Sequence, residues 1–194
     1  MKKSIALVLA FLMLLSLCAC GKSKAVEPTP APAPAATAKP TPAPTEAPEI
    51  TDPAEMFRLA VQYLKAKDYD NALVWLTKAA EAGNVDAMFN LGVLYYKGEG
   101  VKQDFAAALD WFTKAADKGD GDAMYNVGRM YSNGEGVDQD YEKALDWYTK
   151  AADAGDAEAM NNISFLYANG YGVEKDNAKA EEWFGKAQAA GFKG

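Results

Sequence analysis

The chain has 194 residues, with 27 acidic and 20 basic side chains, two cysteines and no histidine. Without histidine there is no Ser-His-Asp triad, no Cys-His dyad, no His-ligated zinc and no imidazole switch near neutral pH. Residues 51–194 carry 24 acidic and 15 basic groups, a balance that repels phosphate backbones and argues against nucleic acid as a partner.

The N-terminus begins Met1-Lys2-Lys3 and continues as an almost unbroken apolar run from Ile5 to Leu17. That run is too short to span a bilayer and fits the core of a signal peptide. It ends in Leu17-Cys18-Ala19-Cys20-Gly21. With a Leu three residues before the cysteine and a small residue just before it, this resembles the lipobox of bacterial lipoproteins. The resemblance implies removal of residues 1–19 and a diacylglyceryl thioether on Cys20, usually with N-acylation. More than one acyl chain is what stable membrane anchoring requires. An ordinary secretory signal with incidental cysteines is the alternative. The expected location is the cell envelope, on the extracytoplasmic face of a bacterial membrane. Both cysteines, Cys18 and Cys20, lie here, so the rest of the chain has neither a disulfide framework nor a thiol nucleophile.

Eight of the nine prolines lie between Pro28 and Pro48, interleaved with Ala and Thr. Such a segment builds no packed core and favours extended polyproline II, so residues 20–50 read as a tether with a reach of about 90 Å.

From residue 51 a repeat takes over. Trp75, Trp111, Trp147 and Trp183 are 36 residues apart, and Gly83, Gly119, Gly155 and Gly191 keep the same register. A fixed period of this size marks a solenoid whose unit is one supersecondary element. The first helix of a unit is expected to start at Asn84, with Asp86 near its positive end, and to run from Ala87 to Tyr96. Met88, Leu91, Gly92 and Tyr95 share one face, and Gly92 and Gly128 leave room for close approach of a neighbouring helix. Gly98-Glu99-Gly100-Val101 breaks that helix. Asp104 caps a second one, with Phe105, Ala108, Leu109, Phe112 and Ala115 as its apolar stripe. An antiparallel hairpin of this kind cannot bury its faces alone and must stack. The prediction is an all-α solenoid over residues 51–194.

The register Ala-Gly-Asp-x-x-Ala-Met-x-Asn-x-Gly-x-x-Tyr-x-x-Gly-x-Gly-Val, followed by Asp-x-x-Lys-Ala-x-x-Trp-x-x-Lys-Ala-Ala, resembles the Sel-one-like repeat (SLR) of the tetratricopeptide repeat superfamily. Three copies cover roughly residues 82–188, with mild departures such as Lys118, Asn84, Ala107, Ser164 and Gln188. A shorter unit precedes them, in which Met56, Leu59, Ala60, Tyr63, Ala72 and Leu76 match an ordinary tetratricopeptide hairpin.

On each first helix, positions equivalent to 89, 93 and 96 lie roughly 80–140° from Met88, beside the core stripe. They hold Phe89, Val93 and Tyr96, then Tyr125, Arg129 and Ser132, then Asn161, Phe165 and Ala168; Phe57, Val61 and Leu64 precede them. In the resembled superfamily this flank lines a concave groove that receives a peptide. Phe57, Val61, Phe89, Val93, Tyr96, Tyr125, Arg129 and Phe165 are therefore the candidate partner-binding residues. The competing reading is that these aromatics pack between units.

No cofactor, metal ligand set or catalytic group emerges. Gly-x-Gly-Val lies between two helices without the strand of a dinucleotide fingerprint. Asp120-Gly-Asp122 lacks a calcium loop and reads as helix capping. The expected function is a non-enzymatic, lipid-anchored scaffold holding a protein or extended peptide. Two alternatives stand beside it: attachment to wall peptidoglycan, and a β-lactam-interacting enzyme. The resemblance implies the latter only through cysteine-rich relatives, and neither Ser132 nor Ser164 begins a Ser-x-x-Lys motif.

Overall fold

The computed structural model of the protein describes residues 50–193, so the signal, Cys20 and all of the tether before Ile50 lie outside the described residues. Those residues form eight helices: α1 (Pro53–Lys65), α2 (Tyr69–Glu81), α3 (Val85–Lys97), α4 (Phe105–Ala116), α5 (Gly121–Asn133), α6 (Tyr141–Asp153), α7 (Ala157–Asn169) and α8 (Asn177–Ala189). Each odd helix pairs with the even helix that follows it, and α2, α4 and α6 pack on the next odd helix. The result is an α-solenoid of four hairpins.

Local chemistry places every boundary. Each helix starts after Asp or Asn, from Asp52 to Asp176, whose side chain accepts a first-turn N–H at 2.7–3.2 Å. Such a cap contributes about 1 kcal/mol. α3, α5 and α7 stop at Gly98, Gly134 and Gly170, all left-handed, whose N–H groups donate to the carbonyls of Leu94, Met130 and Leu166. The first hairpin has no such glycine, and Lys67 takes the left-handed conformation in its short loop (φ +58°).

Alanines let the helices approach. Ala60, Ala72, Ala79, Ala87, Ala108, Ala115, Ala123, Ala144, Ala151 and Ala159 are fully buried, and Leu76, Leu91, Phe112, Val127, Met130, Ile163 and Leu166 fill the space between them. No polar or charged residue is buried among the described residues. Met124 and Tyr131 on α5 pack against both the N-terminal and the C-terminal parts of the core, so the apolar seam is continuous.

The small residues of the first helices have a specific purpose. A Cβ on Gly92 would fall 2.6 Å from the Phe112 ring, and one on Gly128 would fall 2.8 Å from Tyr148. The close approach expected at these glycines is thus made by the aromatic of the same hairpin's second helix. At Ser164 the corresponding aromatic, Phe184, turns toward Phe192, and the Ser164 hydroxyl donates to the Ala180 carbonyl at 2.7 Å. The periodic tryptophans are half-buried, with the ammonium groups of Lys78, Lys114, Lys150 and Lys186 over their rings at 4.6, 4.2, 3.7 and 4.2 Å. Among the described residues no helix is long and apolar enough to cross a membrane.

Candidate partner-binding flank

The flank residues sit on α1, α3, α5 and α7, and three of them lean on the second helix of their own hairpin. Phe89 meets Phe112 with ring centroids 5.5 Å apart, Tyr96 meets Phe105 at 5.2 Å, and Tyr125 meets Tyr148 at 5.9 Å. Phe57, Val61 and Val93 are half-buried. These side chains therefore contribute to packing and present only an edge to solvent.

Two members of the flank are brought together across units. The Arg129 guanidinium lies over the Tyr96 ring at 4.7 Å. The Tyr96 hydroxyl donates to Glu135 at 3.0 Å, and that of Tyr125 reaches toward Glu158 at 3.5 Å. Burial raises the Tyr96 phenol above its ordinary range and its bond to Glu135 adds to the rise, while Arg129 opposes both. Burial and then the Glu158 charge raise Tyr125 in the same direction. Both phenols are held as neutral donors.

Arg129 itself is in no ion pair among the described residues. Its Nε is buried without a hydrogen-bond partner. A guanidinium seated over a ring and outside any ion pair keeps N–H groups suited to a carbonyl or carboxylate.

Phe165 differs from its counterparts in being 54% exposed. It stands edge-on to Tyr171 at 5.8 Å, and Tyr171 stacks on Tyr141 at 4.8 Å with 17° between the rings. Glu135, Tyr141 and Tyr171 extend the flank, and angle-based reasoning along single helices misses them. Their signal was nonetheless present: position 99 of the loop reads Glu99, Glu135, Tyr171 through the copies, with the charge exchanged for an aromatic where Phe165 stands.

Both serines of the domain are engaged in packing. Ser132 lies near the Tyr148 hydroxyl, whose phenol burial drives far above its usual range, and the Ser164 hydroxyl is bonded to the Ala180 carbonyl. Asp120 caps α5 by accepting from Ala123 N–H at 2.7 Å. Burial raises its carboxyl above the ordinary range, and the Asp122 and Asp86 charges add to that. Among the described residues no group of three His, Cys, Asp or Glu side chains is placed to hold a metal ion.

Four stacked two-helix units with these glycine and tryptophan registers define a repeat scaffold, and the Sel1 repeat family matches residues 56–84, 85–120, 121–156 and 157–192. The chain belongs to the Sel1 repeat family, and the match takes in the short first hairpin as well as the three full copies. It is similar to c5321, a protective antigen of uropathogenic Escherichia coli with an SLR fold, at 36% identity and a TM-score of 0.71 over 73% of this chain and 31% of that one. A Sel1 repeat protein from Oxalobacter formigenes gives 36% identity and a TM-score of 0.70, covering 76% and 62% of the two chains. HcpC of Helicobacter pylori, provisionally named a beta-lactamase, is 40% identical over 52 residues. That match covers 27% of this chain and only 18% of HcpC, so the chain spans under a fifth of the curated relative's length. Proteins built of Sel1 repeats are mostly non-enzymatic scaffolds for protein–protein interaction.

Proposed function

We propose that this protein is a lipid-anchored scaffold of the bacterial cell envelope that holds a partner protein or extended peptide along the flank of α1, α3, α5 and α7. The observation that carries this reading is Arg129: a guanidinium braced on Tyr96, in no ion pair among the described residues, and the one charge among the flank's helix positions. Arginine and aromatic side chains are the usual anchors of interfaces, because each offers a large contact at small entropic cost. Exposed Phe165, beside Tyr171 and Tyr141, supplies the aromatic end of the same surface. The lipobox-like segment ending at Cys20 and the proline-rich stretch after it support anchorage at a membrane with the solenoid held away from it.

The test uses the full chain with a photo-crosslinking residue at position 165, expressed in its own envelope. A defined partner should crosslink there, and Arg129→Gln should reduce the yield severalfold while leaving the melting curve unchanged. Undiminished crosslinking from position 165 in a folded Arg129→Gln variant rejects the flank. Crosslinking to wall glycan alone rejects the protein partner. Labelling of the purified chain by a fluorescent penicillin would reject the non-enzymatic reading.

A further inference from the structure

A groove of about 410 Å³ opens on another part of the solenoid, lined by Leu73, Val74, Thr77 and Lys78 of α2 and by Tyr95 of α3. None of these is a flank residue.

The repeat itself shows what is unusual there. Val74 occupies the register of Asp110, Asp146 and Glu182. Asp110 and Glu182 pair with the lysine four residues on, Lys114 and Lys186, at 2.6 and 2.7 Å. Lys78 is the equivalent lysine, and it has only Val74, 50% exposed, at that distance along the helix. It touches the Trp75 ring and is in no ion pair among the described residues.

The second departure concerns Tyr95. Its counterparts Tyr131 and Tyr167 carry the ammonium groups of Lys143 and Lys179 over their rings at 5.4 and 5.2 Å. In the second hairpin that register holds Ala107, and among the described residues no cation covers Tyr95.

Scattered exposed apolar side chains are ordinary. Here two replacements, on different helices, each withdraw a charge from the same groove. They leave an apolar floor with one unpaired ammonium at its edge. That pattern selects the occupant. A cation seated over Tyr95 would stand beside Lys78 and be repelled by it, whereas an anion would restore the pairing that the second and fourth units make internally.

We infer that this groove is a second docking site, which takes an apolar side chain borne beside a carboxylate on a partner polypeptide. The side chain lies on Leu73, Val74 and Tyr95, and the carboxylate meets Lys78. Because the groove shares no residue with the flank, this inference stands apart from the function proposed above.

The experiment titrates the isotopically labelled full chain with N-acetyl-leucine and, separately, with N-acetyl-leucinamide, reading NMR shifts. The acid is expected to shift Leu73, Val74, Thr77 and Tyr95 at millimolar concentration. It should bind about threefold more tightly than the amide, the gain expected of one exposed ion pair. Lys78→Gln should reduce the acid to the level of the amide. Val74→Asp/Ala107→Lys, which restores the repeat's own pattern, should abolish both responses without lowering the unfolding midpoint. The inference is overturned by equal binding of acid and amide, by shifts that fall elsewhere, or by full binding in the restored variant. Tighter binding of N-acetyl-lysinamide than of either probe also overturns it. Arg129→Gln/Phe165→Ala should leave these shifts intact, which separates failure here from failure of the flank.

Discussion

A Cβ placed on Gly136 would fall 2.5 Å from the carbonyl carbon of Phe105, so the loop after α5 rests directly on the backbone that opens α4. Gly172 rests in the same way on the backbone at Tyr141, while Gly100 meets the Tyr69 side chain. The second glycine of each Gly-x-Gly loop is thus the point where one hairpin seats on the previous one. It also has positive φ, +73° at Gly136, so both backbone conformation and space demand glycine.

Two glycines with similar backbones should therefore respond differently to alanine. Gly119 also has positive φ but nothing within 4 Å of an added Cβ. Gly119→Ala should cost only its conformational strain, about 1–2 kcal/mol. Gly136→Ala should add about 1–3 kcal/mol of steric displacement and loosen the second hairpin from the third. Urea unfolding of the two variants side by side checks the difference; equal losses would show that the loop gives way freely.

The exchange of glycine for serine between copies supplies a second test. Gly128→Ser puts its Cβ against the Tyr148 ring and should cost about 1–3 kcal/mol. Ser164→Ala keeps the volume and loses one bond to Ala180, a cost of about 1 kcal/mol. A thermal melt that ranks Ser164→Ala as the worse of the two contradicts the packing described here.

Acid should distinguish Asp120 from asparagine. Its carboxyl is raised in the folded chain by burial, with Asp122 and Asp86 adding to the rise. Ionised Asp120 therefore weakens the fold at neutral pH, and the penalty fades as pH falls through the folded value toward the ordinary 3.8. Asn84 makes the same 2.7 Å capping bond without a charge. Asp120→Asn should be the more stable form at pH 7, and its advantage should shrink by pH 3.5, measured by urea midpoints. An advantage that grows in acid has the wrong sign.

Arg129 should matter far more to recognition than to folding. Its contact with Tyr96 is worth about 0.5–1 kcal/mol, and methionine keeps the aliphatic cover and helix propensity. Arg129→Met should unfold within about 1 kcal/mol of the parent chain yet lose partner crosslinking at position 165. A large fall in stability would assign Arg129 to the framework instead.

Much of the architecture is legible along the chain because its determinants are local. Asp and Asn caps, left-handed glycines and apolar stripes act within a few residues of themselves, and a 36-residue period repeats them four times with one shortened copy. The flank was legible as a set of positions but not as a surface. Angles around one helix place Phe89 and Phe165 beside the core stripe alike, yet Phe89 is braced by Phe112 while Phe165 stands exposed. Glu135 enters from the loop of the next unit and Tyr171 from the loop that follows α7, which no single-helix wheel includes.

Sequence by itself determined the class of element, the unit length and the two-helix hairpin, since short-range hydrogen bonding and side-chain periodicity are written locally. Tertiary structure alone decided which variable positions are consumed by packing, that Arg129 settles on Tyr96, and that Val74 and Tyr95 line one groove. Those outcomes depend on how far one hairpin is rotated and translated against the next, a quantity summed over many weak contacts and visible in no one of them.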